Sequence, residues 1–233
     1  MPRTHLLLTV LLTAAGWAAP GPARAQDTLP VSDDDLRPFA VNVVKTWPLV
    51  KEINGFGIYL GGGAVLTAAH VVGHYSLVTH PRVLVAGRDL QATVVKKGSV
   101  DDTDLALLSI DESVLPASLQ LRRNPLCQAL PPPGANVLVV YPERSVATHM
   151  ISPIYIPPRM RKRFYSLIDE QEGSGAGVFD AERRCLLGII SQKIRKYNYQ
   201  RRNGRLAVQD AGWAGYFVPV SAIADFLPEK FRF

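Results

Sequence analysis

An all-β fold, built as a sandwich or a pair of barrels, is what this 233-residue chain predicts, and three observations carry it. Short runs rich in Val, Ile, Leu, Tyr and Phe recur along the sequence, punctuated by Gly, Pro, Asn and Asp. Only two stretches read as helix. A proline-rich segment near the middle divides the runs into two comparable sets, as two packed β lobes require.

The elements follow in order. Residues 1–25 read as a leader rather than as part of the fold: Arg3 and His5 precede the apolar run 6–15, and Ala23-Arg24-Ala25 presents small residues at a cleavage site before Gln26. That run is too short to cross a bilayer, and no later stretch approaches the roughly 18 apolar residues a span takes. A periplasmic or secreted protein with no transmembrane segment after leader removal is therefore expected. Strands are expected at 56–60, 63–67, 83–86, 90–97 and 104–110, and again at 136–141, 147–156, 163–168, 176–179, 185–194 and 214–218. A short helical turn is expected at 68–73, and a C-terminal helix at about 220–227, opened by Pro219 and Ser221. The division falls at 122–134, where Arg122-Arg123-Asn124-Pro125 and Pro131-Pro132-Pro133-Gly134 bracket Cys127. Three consecutive prolines favour extended backbone there. The two lobes should run from about 38 to 121 and from about 135 to 218.

The formal charge of +6 falls to +4 when Arg3 and Arg24 leave with the leader, so the mature chain is mildly basic. Its two cysteines, Cys127 and Cys185, favour one disulfide in an oxidising compartment, with two separate buried thiols as the alternative. Neither stands near a histidine at a metal-ligand spacing. His74 follows His70 at i, i+4, but Gly73 interrupts the turn and no acidic partner follows, so a metal site is not expected.

Three separated segments each frame one polar residue in apolar or glycine-rich surroundings. They are Leu66-Thr67-Ala68-Ala69-His70-Val71-Val72, Asp104-Leu105-Ala106-Leu107-Leu108, and Glu172-Gly173-Ser174-Gly175-Ala176-Gly177-Val178-Phe179-Asp180. A serine nucleophile needs a base to take its proton, and that base needs an acid to fix its tautomer, so the three gain meaning jointly. Asp101 and Asp102 compete with Asp104 for the acid's role but read better as a solvated turn before the strand.

In their order and framing, these segments resemble the chymotrypsin-like serine peptidases, in the style of bacterial trypsin-like and Deg-type protease domains without a PDZ module. The resemblance runs from about residue 40 to the end. It implies a double β-barrel with a site between the lobes and no cofactor. Ser174 would attack a peptide carbonyl, His70 would accept and return the proton, and Asp104 would orient the imidazole. The oxyanion donors would be the amides of Ser174 and Glu172. Glu172 stands where active relatives usually have Gly, and a carboxylate there would oppose the developing charge. A catalytically silent homologue that binds peptides or partners through its cleft is the alternative. The resemblance also places a specificity pocket against Ile168, Ser191, Lys193 and Gly215, with Ile168 near its base. That favours an apolar or small side chain, and Asp169 keeps a basic preference open.

Two basic clusters flank this region: Arg159, Arg161, Lys162 and Arg163, then Lys193, Arg195, Lys196, Arg201, Arg202 and Arg205, interleaved with Tyr155, Tyr197 and Tyr199. Solvated loop charges are one reading. Attraction of acidic peptide segments or of an anionic envelope surface is another. The leader disfavours nucleic acid as the partner.

Overall fold

Seven strands of the first half form one sheet, and six of the second half close into a barrel. The computed structural model describes residues 35–47, 50–73, 80–170, 172–202 and 205–231. The residues expected to form a leader, 1–25, and His74 lie outside these. The first sheet contains β1 (Ala40–Trp47), β2 (Val50–Gly61), β3 (Ala64–Thr67), β4 (Pro81–Val85), β5 (Arg88–Gln91), β6 (Thr93–Lys97) and β7 (Ala106–Ser109). Its order is β5-β4-β1-β2-β3-β7-β6. The two outermost strands, β5 and β6, are joined by Ala92 alone, so the sheet must curl until its edges nearly meet. The expected strand 90–97 is thus two strands broken at Ala92, which is buried and whose amide donates to Pro81 O at 2.9 Å.

The second lobe contains β8 (Asn136–Val140), β9 (Ser145–Ile151), β10 (Leu167–Ile168), β11 (Gly177–Asp180), β12 (Leu186–Arg202) and β13 (Arg205–Pro219), closed in the order β10-β13-β12-β11-β8-β9. The expected strand 147–156 stops at Ile151, because Pro153 cannot donate to a ladder and opens a 3₁₀ turn instead. The expected strand 163–168 shrinks to Leu167 and Ile168. Strand β1 was not anticipated, and β12 and β13 run far past their expected limits.

Alternation explains where the core sits. On β2, Tyr59 faces the inside of the first lobe, while Ile58 and Leu60 face outward into a second cluster. On β7, Ala106 and Leu108 face in and Leu107 out. The outward residues meet Leu138, Val140, Phe179, Ile189 and Val218 of the barrel, so strands buried on both faces read as continuous apolar runs. The C-terminal helix (Val220–Phe226) adds Ile223 and Phe226 to this inter-lobe layer. Lys96 of β6 donates to Phe226 O at 2.7 Å and so ties the C-terminal helix to the first lobe.

The connecting segment is stitched to both lobes. Asn124 donates its side-chain amide to Tyr59 O at 2.8 Å and its backbone N–H to Leu60 O at 3.0 Å. Cys127 N–H reaches Leu186 O at 3.0 Å, and Cys127 forms a disulfide with Cys185 across 58 residues. The expected bridge is present.

Candidate active site

His70 sits on α1 (Ala69–Val72), a single helical turn directly after β3. Ala69, Val71 and Val72 are buried, and Gly73 at φ +67 ends the turn, which leaves His70 as its one outward residue, 36 % exposed. Asp104 enters just before β7 and is only 3 % exposed. One carboxylate oxygen takes the His70 backbone N–H at 3.0 Å, and the other lies 2.8 Å from His70 Nδ1. A second donor comes from the barrel: Ser191 Oγ donates to Asp104 Oδ2 at 2.6 Å, and Ser191 is itself buried. Burial pushes the Asp104 carboxyl upward. The hydrogen bonds from the His70 ring and Ser191, the charge attraction of His70, and the bond from its amide outweigh that push and hold it below the ordinary carboxylate value.

Ser174 lies at the entry to β11. Among the described residues, its hydroxyl's hydrogen bond goes to Ser191 O at 3.4 Å, not to the His70 ring. Such contacts tighten when substrate binds. The backbone around Ser174 is fastened to the first lobe, with Phe56 N–H reaching Ser174 O at 2.9 Å. Gly175 follows at φ +89, and a Cβ there would come within 1.9 Å of Phe56 O and 2.6 Å of Thr67 Oγ1. The close approach therefore demands glycine. Thr67 Oγ1 donates to the same Phe56 carbonyl at 2.5 Å.

The residues expected to supply the oxyanion amides differ in their surroundings. Glu172 takes no positive φ; the left-handed position in this turn is Gly173, at φ +80. The Glu172 N–H donates to the Glu170 carboxylate at 2.9 Å, and the Glu172 carbonyl accepts from Tyr141 Oη at 3.0 Å. Burial, then the Glu170 carboxylate, raises the Tyr141 phenol well above its usual value, with Glu172 adding and Arg144 opposing. Tyr141 also packs edge-on against Phe56, with ring centroids 5.1 Å apart. Sequence reasoning missed Phe56, Tyr141 and Glu170. Glu170 two residues ahead of Glu172 was the available signal, since a side-chain acceptor at that offset can close a local turn.

The expected pocket residues are placed unevenly. Ile168 is wholly buried in β10, paired with Gly215 and Met150, and packs with Ile190 and Phe217. Ser191 lies at a β-bulge between Ile190 and Gln192, and its hydroxyl donates to Asp104. Lys193 is exposed and pairs with Gly215, where a Cβ would meet Glu170 O at 2.0 Å. Asp169 is ion-paired with Lys196.

A family model for the trypsin-like peptidase domain matches residues 55–189, more than half of the chain. The chain therefore belongs to that family and is a serine-type peptidase. Solved structures agree on the fold. The Rv3671c protease of M. tuberculosis in its active form matches with a TM-score of 0.57 at 17% identity, over 83% of this chain and 81% of that one. Its inactive form matches at 0.54 and 20% identity, covering 83% and 89%. Kallikrein-related peptidase 10 matches at 0.56 and 16% identity, covering 84% and 96%. No protein with curated annotation matches the chain in sequence.

Proposed function

We propose that this chain is an exported endopeptidase in which Ser174 is the nucleophile, His70 the general base and acid, and Asp104 the group that orients the imidazole. The observation that carries the reading is the Asp104 carboxylate, buried and bound to His70 Nδ1 at 2.8 Å, with Ser191 joining it to the Ser174 side of the cleft. With Asp104 accepting at Nδ1, the proton there is fixed, and Nε2 is left as the acceptor for the serine proton. Attack by Ser174 Oγ on the peptide carbonyl gives a tetrahedral intermediate, and His70 passes the proton to the leaving amine. Water then releases the acyl group by the same steps reversed. The Ser174 and Glu172 amides would receive the oxyanion.

With Asp169 engaged by Lys196, a basic side chain before the scissile bond would lack a free counter-charge, and buried Ile168 and Gly215 would form an apolar floor beneath the pocket. Apolar or small side chains would thus be preferred there, with Ser191 and Lys193 contributed by β12. Export is supported by the leader-like residues 1–25 and by the disulfide.

A second reading, a silent homologue that binds peptides in its cleft, is favoured by one contact. The Glu172 amide is occupied by the Glu170 carboxylate, an anion of this chain's own. A fluorophosphonate probe separates the two: the peptidase labels at Ser174 and the Ser174→Ala variant does not. An unlabelled but folded wild type would leave the silent reading standing.

A further inference from the structure

Past Ile194 and Ala214, which are both buried, β12 and β13 leave the barrel as a two-stranded ribbon. Six register pairs, from Tyr197↔Asp210 to Arg202↔Arg205, carry it outward by about 20 Å. Directly opposite residues share a face. One face therefore holds Tyr197 beside Asp210, Tyr199 beside Val208 and Arg201 beside Leu206, while the other pairs Asn198 with Gln209, Gln200 with Ala207 and Arg202 with Arg205. Leu206 is 64 % and Val208 53 % exposed. Six of the ten exposed large apolar residues among those described lie here or in the adjoining loop 154–165, so the exposure is concentrated. Loop and ribbon meet where Arg161 stacks on Tyr199 at 5.9 Å.

Charge is concentrated in the same place. Residues 193–213 hold six cations against Asp210 alone, and 159–163 hold four more. Together they exceed the whole chain's +6, so the remainder of the chain is net acidic. Arg195 is engaged by Asp210 at 3.3 Å and stacks on Trp213 at 4.5 Å; Lys196 is engaged by Asp169. Arg161 and Arg163 donate to backbone carbonyls of Ile154, Ile156 and Val100. Arg201 and Arg205, at the far end, are exposed.

We propose that this ribbon docks on an anionic lipid bilayer, with Leu206 and Val208 entering the headgroup boundary, Arg201 on their own face meeting lipid phosphates, and Arg205, on the opposite face at the far end, reaching phosphates from the rim. A bilayer surface rewards apolar insertion and cationic contact together and asks for no matching groove. Nucleic acid would use the arginines and leave Leu206 and Val208 in water. The proposal goes beyond the peptidase reading and is independent of Ser174.

The test is co-sedimentation of the chain beginning at Gln26, which contains every described residue, with vesicles of phosphatidylcholine containing 30 mol% phosphatidylglycerol or none. Binding is expected only to the anionic vesicles and should fall between 50 and 300 mM salt. Neutralising an arginine near the surface costs about fivefold, so Arg201→Gln with Arg205→Gln should weaken binding more than tenfold. Leu206→Glu with Val208→Glu should abolish it. Far-UV circular dichroism verifies that the variants fold, and hydrogen exchange on the wild type should slow at 197–210 when anionic vesicles are added. Equal binding to both vesicles, unchanged binding by the variants, or exchange protection elsewhere would overturn the proposal. So would binding of an acidic peptide of poly-glutamate to the ribbon with no vesicle binding.

Discussion

Replacing Glu170 with alanine should make the enzyme faster. Its carboxylate accepts the Glu172 N–H at 2.9 Å, and that N–H is one of the two donors proposed for the oxyanion. An incoming carbonyl oxygen must first displace the carboxylate. Hydrogen bonds to charged acceptors contribute roughly 1.5–3 kcal/mol, and a bond in an exposed turn belongs at the low end, near 1.5 kcal/mol. At 1.36 kcal/mol per decade, removal of the cap should raise kcat/KM about tenfold. The ceiling is the roughly 10²–10³ that one oxyanion donor supplies. Tyr141 keeps its hold on the Glu172 carbonyl at 3.0 Å, so the peptide plane stays fixed while its amide is released.

The assay is the second-order rate of fluorophosphonate labelling at Ser174, alongside kcat/KM on a peptide ester. Glu170→Gln, which keeps an acceptor and loses the charge, should fall between wild type and Glu170→Ala. If Glu170→Ala labels no faster than wild type, the Glu172 amide is not an oxyanion donor. If it labels more slowly with an unchanged Tm, the carboxylate is a brace for the turn rather than a plug.

Three further outcomes follow from the same geometry. Ser191→Ala removes one donor from Asp104, and the Tm of the variant should drop most at neutral pH. The Asp104 carboxyl is depressed in the fold, so its stabilisation is fully present above the unfolded value near 3.9 and is lost as pH falls through the lower folded value; the variant's folded value lies closer to the unfolded one, so its acid limb in a Tm–pH profile should be shallower and level off at higher pH. Gly175→Ala should abolish labelling and lower Tm sharply, because its Cβ would sit 1.9 Å from Phe56 O at a φ of +89; a fully labelled variant would show that the close approach is dispensable. Reduction of the Cys127–Cys185 bridge releases a loop of 58 residues, for which chain entropy gives a loss of about 4 kcal/mol. Denaturant unfolding with and without reductant measures it, and a loss under about 1 kcal/mol would point to residual structure in the unfolded chain.

Most of the fold was legible because apolar runs and their punctuation mark strands whatever their partners. What the sequence could not show was partnering. Residues 90–97 read as one strand, since nothing local reveals that Ala92 must turn between opposite ends of one curled sheet. The ribbon was hidden for the opposite reason: residues 195–213 are polar and basic, and they extend only because each strand finds the other. At the site, His70, Asp104 and Ser174 stood out by their frames. The bond from Ser191 to Asp104 and the full burial of Ile168 were not legible, because a bulge at 190–192 and the packing of β10 are set by tertiary contacts.

The arrangement of contacts across the cleft explains how such a site persists on so little sequence. His70 and Asp104 come from the first lobe, Ser174 and Ser191 from the barrel, and any sliding of one lobe on the other would separate His70 from Ser174, the proposed base and nucleophile. The alignment rests on Phe56, whose N–H holds Ser174 O and whose carbonyl touches Gly175 and accepts from Thr67. These are backbone groups, with glycine required where they come closest, so the positions between them are free to vary. The Asp104 carboxylate completes the link, since it takes His70 from its own lobe and Ser191 from the other. Orientation of the base and registration of the lobes are thus one interaction. A Ser191 substitution should accordingly slow labelling by disturbing both His70 and the approach of Ser174, where loss of a merely structural hydrogen bond would lower Tm alone.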